Sequence, residues 1–138
     1  MKKIIVFIAF IVLSSCKQTI TNDNIQYLNG YWEIEKVELP SGEMKEYKVN
    51  ETIDFFKIES NKGFRKKVMP QLDGTYLTND HQEDIIITFK DGDATIQYKT
   101  NYASWDENII ELTNDKLVLK NQQELEYHYK RPAKFSIK

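Results

Sequence analysis

The chain has 138 residues, with 19 basic and 21 acidic side chains, a formal charge of −2 and a pI near 5.7. That balance speaks against a nucleic-acid-binding domain, and a single cysteine excludes an internal disulfide. The length suits one domain with its own core and leaves no room for a second.

Taken from the start, Lys2 and Lys3 precede an unbroken apolar run from Ile4 to Leu13, and Ser14 and Ser15 end it. A bilayer-spanning helix needs roughly 20 apolar residues, so this run has the length of an export signal instead. Leu13-Ser14-Ser15-Cys16 resembles the lipobox of bacterial lipoproteins, in which the cysteine thiol is diacylated and the bond before it is cut. The resemblance implies that residues 1–15 are removed and that Cys16 becomes the lipid-bearing first residue, which also explains a lone cysteine in an exported chain. Two acyl chains, at about 0.8 kcal/mol per buried CH₂, anchor stably where one does not. Taking two lysines from 19 leaves 17 basic against 21 acidic residues, a formal −4 that favours solubility over nucleic acid.

Residues 16–27 follow as the lipidated cysteine and a polar, flexible tether, with a short helical turn over Asn22 to Leu28 that Asn22 or Asp23 could cap. From residue 28 to 138 the text changes. Short stretches rich in Ile, Val, Phe, Tyr and Thr alternate with turn residues about every ten positions. Strands are expected near Tyr31–Leu39, Thr52–Glu59, Phe64–Met69, Thr75–Thr78, Asp84–Lys90, Ala94–Tyr102, Ile109–Thr113, Lys116–Lys120 and Glu124–Arg131. Short connections force antiparallel pairing, and a meander this long curls shut to remove its edges. The expected fold is all-β, an antiparallel up-and-down barrel of about 8 to 9 strands.

Alternation divides the faces. In the last strand Leu125, Tyr127, Tyr129 and Arg131 share one face, and Ile96, Tyr98, Thr100 and Tyr102 share another. The inward set is rich in tyrosine, whose hydroxyl needs a partner when buried. Either a polar-lined cavity or hydroxyls reaching the rim accounts for it.

The first strand opens with Gly30-Tyr31-Trp32 and the last closes with Arg131. This resembles the lipocalin pattern, a calycin-type barrel in which a Gly-X-Trp motif begins strand one and an arginine of the final strand packs over the tryptophan at the closed end. The resemblance implies that Gly30, Trp32 and Arg131 close the barrel floor. It also implies a small-ligand carrier. Three departures stand out: no helix follows the barrel, no disulfide is possible, and nine strands are counted where the family has eight, so one is expected to be a bent half of its neighbour near Pro70.

Chemistry-bearing motifs are sparse. His81 lies in a polar turn and His128 on a polar strand face. Asp91-Gly92-Asp93 reads as a hairpin turn, with too few ligands at fixed spacing for a metal. Nucleophile and phosphate-loop motifs are absent, so neither an enzyme nor a cofactor is expected. Lys62, Arg65, Lys66 and Lys67 form a dense positive run, read as solvated β-surface or edge protection, or alternatively as a source of one cation, Arg65, at the mouth. Tyr102-Ala103-Ser104-Trp105 either caps one end or forms an aromatic lip. The expectation is a protein of the cell envelope, anchored to the outer membrane through Cys16, that binds a small lipophilic or amphipathic ligand. The expected pocket is Phe55, Ile96, Tyr98, Tyr102 and Tyr127. The alternative is a packed barrel that docks another envelope protein or cell-wall material.

Overall fold

The computed structural model describes residues 18–48 and 50–133. The export signal and Cys16 lie outside those residues. Helix α1 (Asn22–Ile25) and a 3-10 turn (Gln26–Leu28) lead into ten strands: β1 (Gly30–Glu38), β2 (Met44–Glu46), β3 (Ile53–Glu59), β4 (Lys62–Pro70), β5 (Tyr76–Thr78), β6 (Glu83–Lys90), β7 (Asp93–Lys99), β8 (Ser104–Leu112), β9 (Lys116–Lys120) and β10 (Glu126–Lys130).

Every pairing is antiparallel, and β10 returns to β1 through Glu33–Lys130 to Glu38–Glu126, which closes the sheet. Eight strands make the barrel, in the order β1, β3, β4, β6, β7, β8, β9, β10. The ninth expected strand, at Thr75–Thr78, is the short β5. It forms a side hairpin on the Val68–Pro70 end of β4, outside the closed ring. Strand β2 was not anticipated, because Met-Lys-Glu shows no alternation; it pairs with Lys36–Glu38 of β1 beyond the point where β3 leaves. Irregular register at Ile34/Lys36 and at Ile109/Glu111 supplies the local bend and twist that closure requires.

The two ends differ in their turns. Ser60-Asn61 and Asp91-Gly92 both hold two successive positive φ angles, as tight two-residue hairpins demand. With the Thr113–Asp115 turn and the N-terminal segment they form one end. The longer connections after β1, β4, β7 and β9 form the other. Expected strand ends moved accordingly. Strand β7 stops at Lys99 because Thr100 Oγ1 accepts from the backbone N–H groups of Tyr102 and Ala103, and β8 starts earlier than expected, at Ser104.

Residues 18–27, expected as tether, are docked on the barrel from Gln18 onward. The Gln18 side-chain amide donates to the Leu112 carbonyl (3.0 Å) and accepts from its N–H (2.9 Å). Ile20 and Ile25 are buried in the core. The helical turn is capped one residue before the expected position, by Thr21, whose N–H donates to Asn24 Oδ1 at 2.9 Å. A polar composition concealed this docking, because two buried isoleucines and one bidentate amide suffice to hold a short segment.

Candidate functional site

At the closed end Trp32 is fully buried, and its indole N–H donates to the Leu28 carbonyl at 2.8 Å. The Arg131 guanidinium lies 3.7 Å from the indole centroid. It donates to three carbonyls, those of Asn114 (2.8 Å), Tyr31 (3.0 Å) and Tyr27 (2.7 Å). Gly30 has φ +108°, and a Cβ there would stand 3.1 Å from Arg131 Nη1. Gly30, Trp32 and Arg131 therefore form one interlocked plug. Above it the barrel is solid: Phe56, Ile58, Ile85, Ile87, Ile96, Ile109, Leu117 and Leu119 pack as a single cluster.

The upper half holds charge instead. Arg65 of β4 is only 9% exposed, and its guanidinium lies 4.2 Å from the Tyr98 ring centroid. It pairs closely with Glu83, its register partner on β6, and with Glu107 of β8 at 3.6 Å. Beside it Lys67 Nζ lies 2.7 Å from the buried Asp54. Arg65 Nε is buried without a hydrogen-bond partner, while the buried Tyr98 hydroxyl faces the Glu107 carboxyl. Groups of this kind are uncommon and call for an explanation.

Burial raises the Glu107 pKa, and the nearby Arg65 offsets only part of that rise. Burial also drives the Tyr98 and Tyr129 hydroxyls well above their ordinary value, so both remain donors at neutral pH. For Arg65, burial opposes the charged form, yet the surrounding Tyr98, Asp54 and Glu83 carry its pKa above the ordinary arginine value.

A cavity of about 350 Å³ opens above this cluster, lined by Arg65, Lys67, Trp105, Glu107, Tyr127, Tyr129 and the Asn121–Gln123 turn. A wider hollow of about 730 Å³ adjoins it on the side of residues 79–84 and 99–102 and shares Arg65 and Lys67. Trp105, half-buried on β8, stacks on Tyr98 with centroids 5.4 Å apart. The arrangement offers donors, acceptors and an aromatic wall.

The residues expected to line a pocket separate. Tyr127 lines the cavity and accepts from Asn121 Nδ2 at 3.2 Å. Tyr98 lies just below it, under Arg65. Ile96 is fully buried in the packed lower core and faces no void. Phe55 points outward, against Tyr31 (4.8 Å) and Phe64 (6.2 Å), because its neighbour Phe56 takes the inward place. Tyr102 is 97% exposed at the tip of the β7–β8 turn. The positive run splits by alternation: Arg65 joins the interior charges, Lys67 reaches the buried Asp54 from an exposed place at the mouth, and Lys66 lies on the other face, its Nζ 5.6 Å from the Phe64 ring centroid. Arg65 is thus no solvated surface residue. Asp54 and Glu107 were not singled out in the sequence, and alternation gave Tyr129 only its face.

His81 lies exposed in the loop beside the wider hollow. His128 meets Glu126 at 3.7 Å and Glu38 at 3.9 Å on the outer face, which is, among the described residues, the one group of three that could hold a metal ion. The outer face also carries Tyr31 stacked on Tyr76 at 4.1 Å, next to a groove of about 500 Å³.

A family model described as a lipocalin-like domain matches residues 28–119. Among solved structures, a lipocalin-like protein from Bacteroides uniformis ATCC 8492 shares 12% identity at a TM-score of 0.47, covering 77% of this chain and 99% of that one. An uncharacterized protein from Bacteroides eggerthii DSM 20697 shares 13% identity at a TM-score of 0.47, covering 75% and 98%. No curated protein matches the chain.

Proposed function

The chain belongs to the lipocalin-like family, and from that premise we propose that it is a membrane-anchored carrier which binds a compact amphipathic molecule at the mouth of its barrel, without covalent chemistry. One observation carries the reading: Arg65, whose Nε has no hydrogen-bond partner, lines with Glu107, Trp105 and Tyr127 a cavity of about 350 Å³. A ligand whose polar end reaches into this cavity would meet Arg65, Lys67 and Glu107 and form charge-assisted hydrogen bonds there. Its apolar part would rest on Trp105 and Tyr127, gaining about 25 cal/mol per Å² buried. The solid lower half argues against a long acyl chain stretched along the barrel axis. Anchoring follows from the lipobox-like Leu13–Cys16 segment, and the outer membrane of a bacterial envelope is the proposed location.

Calorimetric titration with octanoate, octyl glucoside and octylamine tests the reading, since these share one chain and differ only in head group. At least one is expected to bind in the micromolar range, and palmitate is expected to bind no better than the best of them. Absence of heat with all three, or a clear preference for palmitate, overturns it.

A second reading, docking of another envelope protein, is favoured by the outer face. Leu72 is 75% exposed, and with Met69 and Leu77 it makes the β4–β5 hairpin an apolar projection beside the Tyr31–Tyr76 stack. Cross-linking through this hairpin in intact cells separates the readings: a specific adduct lost on Leu72→Asp supports docking.

A further inference from the structure

We propose that the protein stands on the lipid surface on its closed end, with the mouth directed into the aqueous phase; this rests on the reading of Cys16 as the acylated residue. Gln18 lies two residues from that anchor in the sequence. Gln18 holds both polar backbone groups of Leu112 at 3.0 and 2.9 Å, and Ile20 is buried. Only Lys17 intervenes between Cys16 and Gln18. Two residue steps reach at most about 7 Å, so the lipid surface lies close to the end of β8 and the turn that follows it.

Turning the barrel over would require far more chain. Nine-residue strands such as β1 and β8, tilted as barrel strands are, put the two ends roughly 20–25 Å apart. The N-terminal segment is fastened a second time where Asn29 bonds both backbone groups of Ile58, at 3.2 and 2.6 Å, so it cannot peel away without losing several bonds. The turns at this end mix Asp91 and Asp115 with Lys62, Lys90 and Lys116, so head groups of either sign meet a balanced surface. The consequence for the site is its source of ligand. The cavity above Arg65 takes molecules from water rather than from the bilayer directly beneath.

The test uses the full-length lipidated protein in vesicles doped with head-group nitroxide lipid. Acylation occupies the only cysteine, so Asp115→Cys at the closed end and Tyr102→Cys at the mouth each offer one thiol for a fluorophore. With the ends separated as above, the label at position 115 is expected to be quenched at least about twofold more than the label at position 102. A Gly/Ser insertion of about twelve residues between Lys17 and Gln18 is expected to abolish the difference. Equal quenching in the uninserted protein, or stronger quenching at position 102, overturns the orientation. Failure of the anchor itself gives a different result: native protein and Cys16→Ala would stay off vesicles alike, which overturns anchor and orientation together.

Discussion

Arg131 serves an indole ring and three carbonyls at once, a combination that only a planar five-donor group provides. Arg131→Ala is therefore expected to lower stability by roughly 2–4 kcal/mol in urea unfolding, and Arg131→Lys to recover only a small part. Equal stability of the lysine variant and the parent would mean that charge alone matters there. Glu107 makes a pH prediction. Burial raises its folded pKa above the ordinary 4.5, so the fold favours the neutral acid. The stabilisation this gives is complete below the unfolded pKa and is lost as pH rises through the folded value. Glu107→Gln, neutral throughout, is expected to gain thermal stability relative to the parent as pH climbs above about 4.5, and parallel profiles would refute this. Some residues of the site were legible. The face shared by Tyr127, Tyr129 and Tyr98 followed from alternation, and Trp32 and Arg131 stood out by motif. Arg65 was legible only as the alternative to a solvated surface cation, because its partners Glu83 and Glu107 come from other strands and no local pattern announces them.

Elements show where a local pattern suffices and where packing intervenes. The tight turns at Ser60-Asn61 and Asp91-Gly92 need only local chemistry, and most strands fell near their expected places. Hairpin β3–β4 hides a stricter demand. A Cβ on Gly63 would lie 1.8 Å from the Lys57 carbonyl oxygen, so the strands approach more closely there than any side chain allows. Gly63→Ala is expected to cost about 3 kcal/mol or more in unfolding experiments, whereas Gly42→Ala, with open space around it, should lose roughly 1–2 kcal/mol through its φ of +87° alone. Comparable losses would show that the close approach relaxes freely. The N-terminal segment and β2 escaped sequence reading for one reason: their places are set by the barrel they lie on, through Leu112 and the end of β1, rather than by periodicity of their own.

At the scale of the molecule, the barrel is divided across its height. Below, aliphatic and aromatic side chains fill the tube down to the Trp32–Arg131 plug; above, Arg65 and Lys67 pair with Asp54, Glu83 and Glu107, and Arg65, Lys67 and Glu107 line a small cavity. A closed antiparallel tube was legible from alternation and short turns, but its filling was not, since residues on one inward face may meet either a void or one another. Partial filling gives the molecule a stable base and a shallow polar cup, and each tryptophan reports on one half. Trp32 sits in the plug and Trp105 on the wall of the cup. The most direct test is an amide and indole NMR spectrum of the folded domain during titration with the tightest of the octyl compounds. The account predicts that the Trp105 indole resonance shifts in a saturable manner while that of Trp32 stays fixed. A shift at Trp32, or saturable binding that leaves Trp105 unmoved, would contradict it.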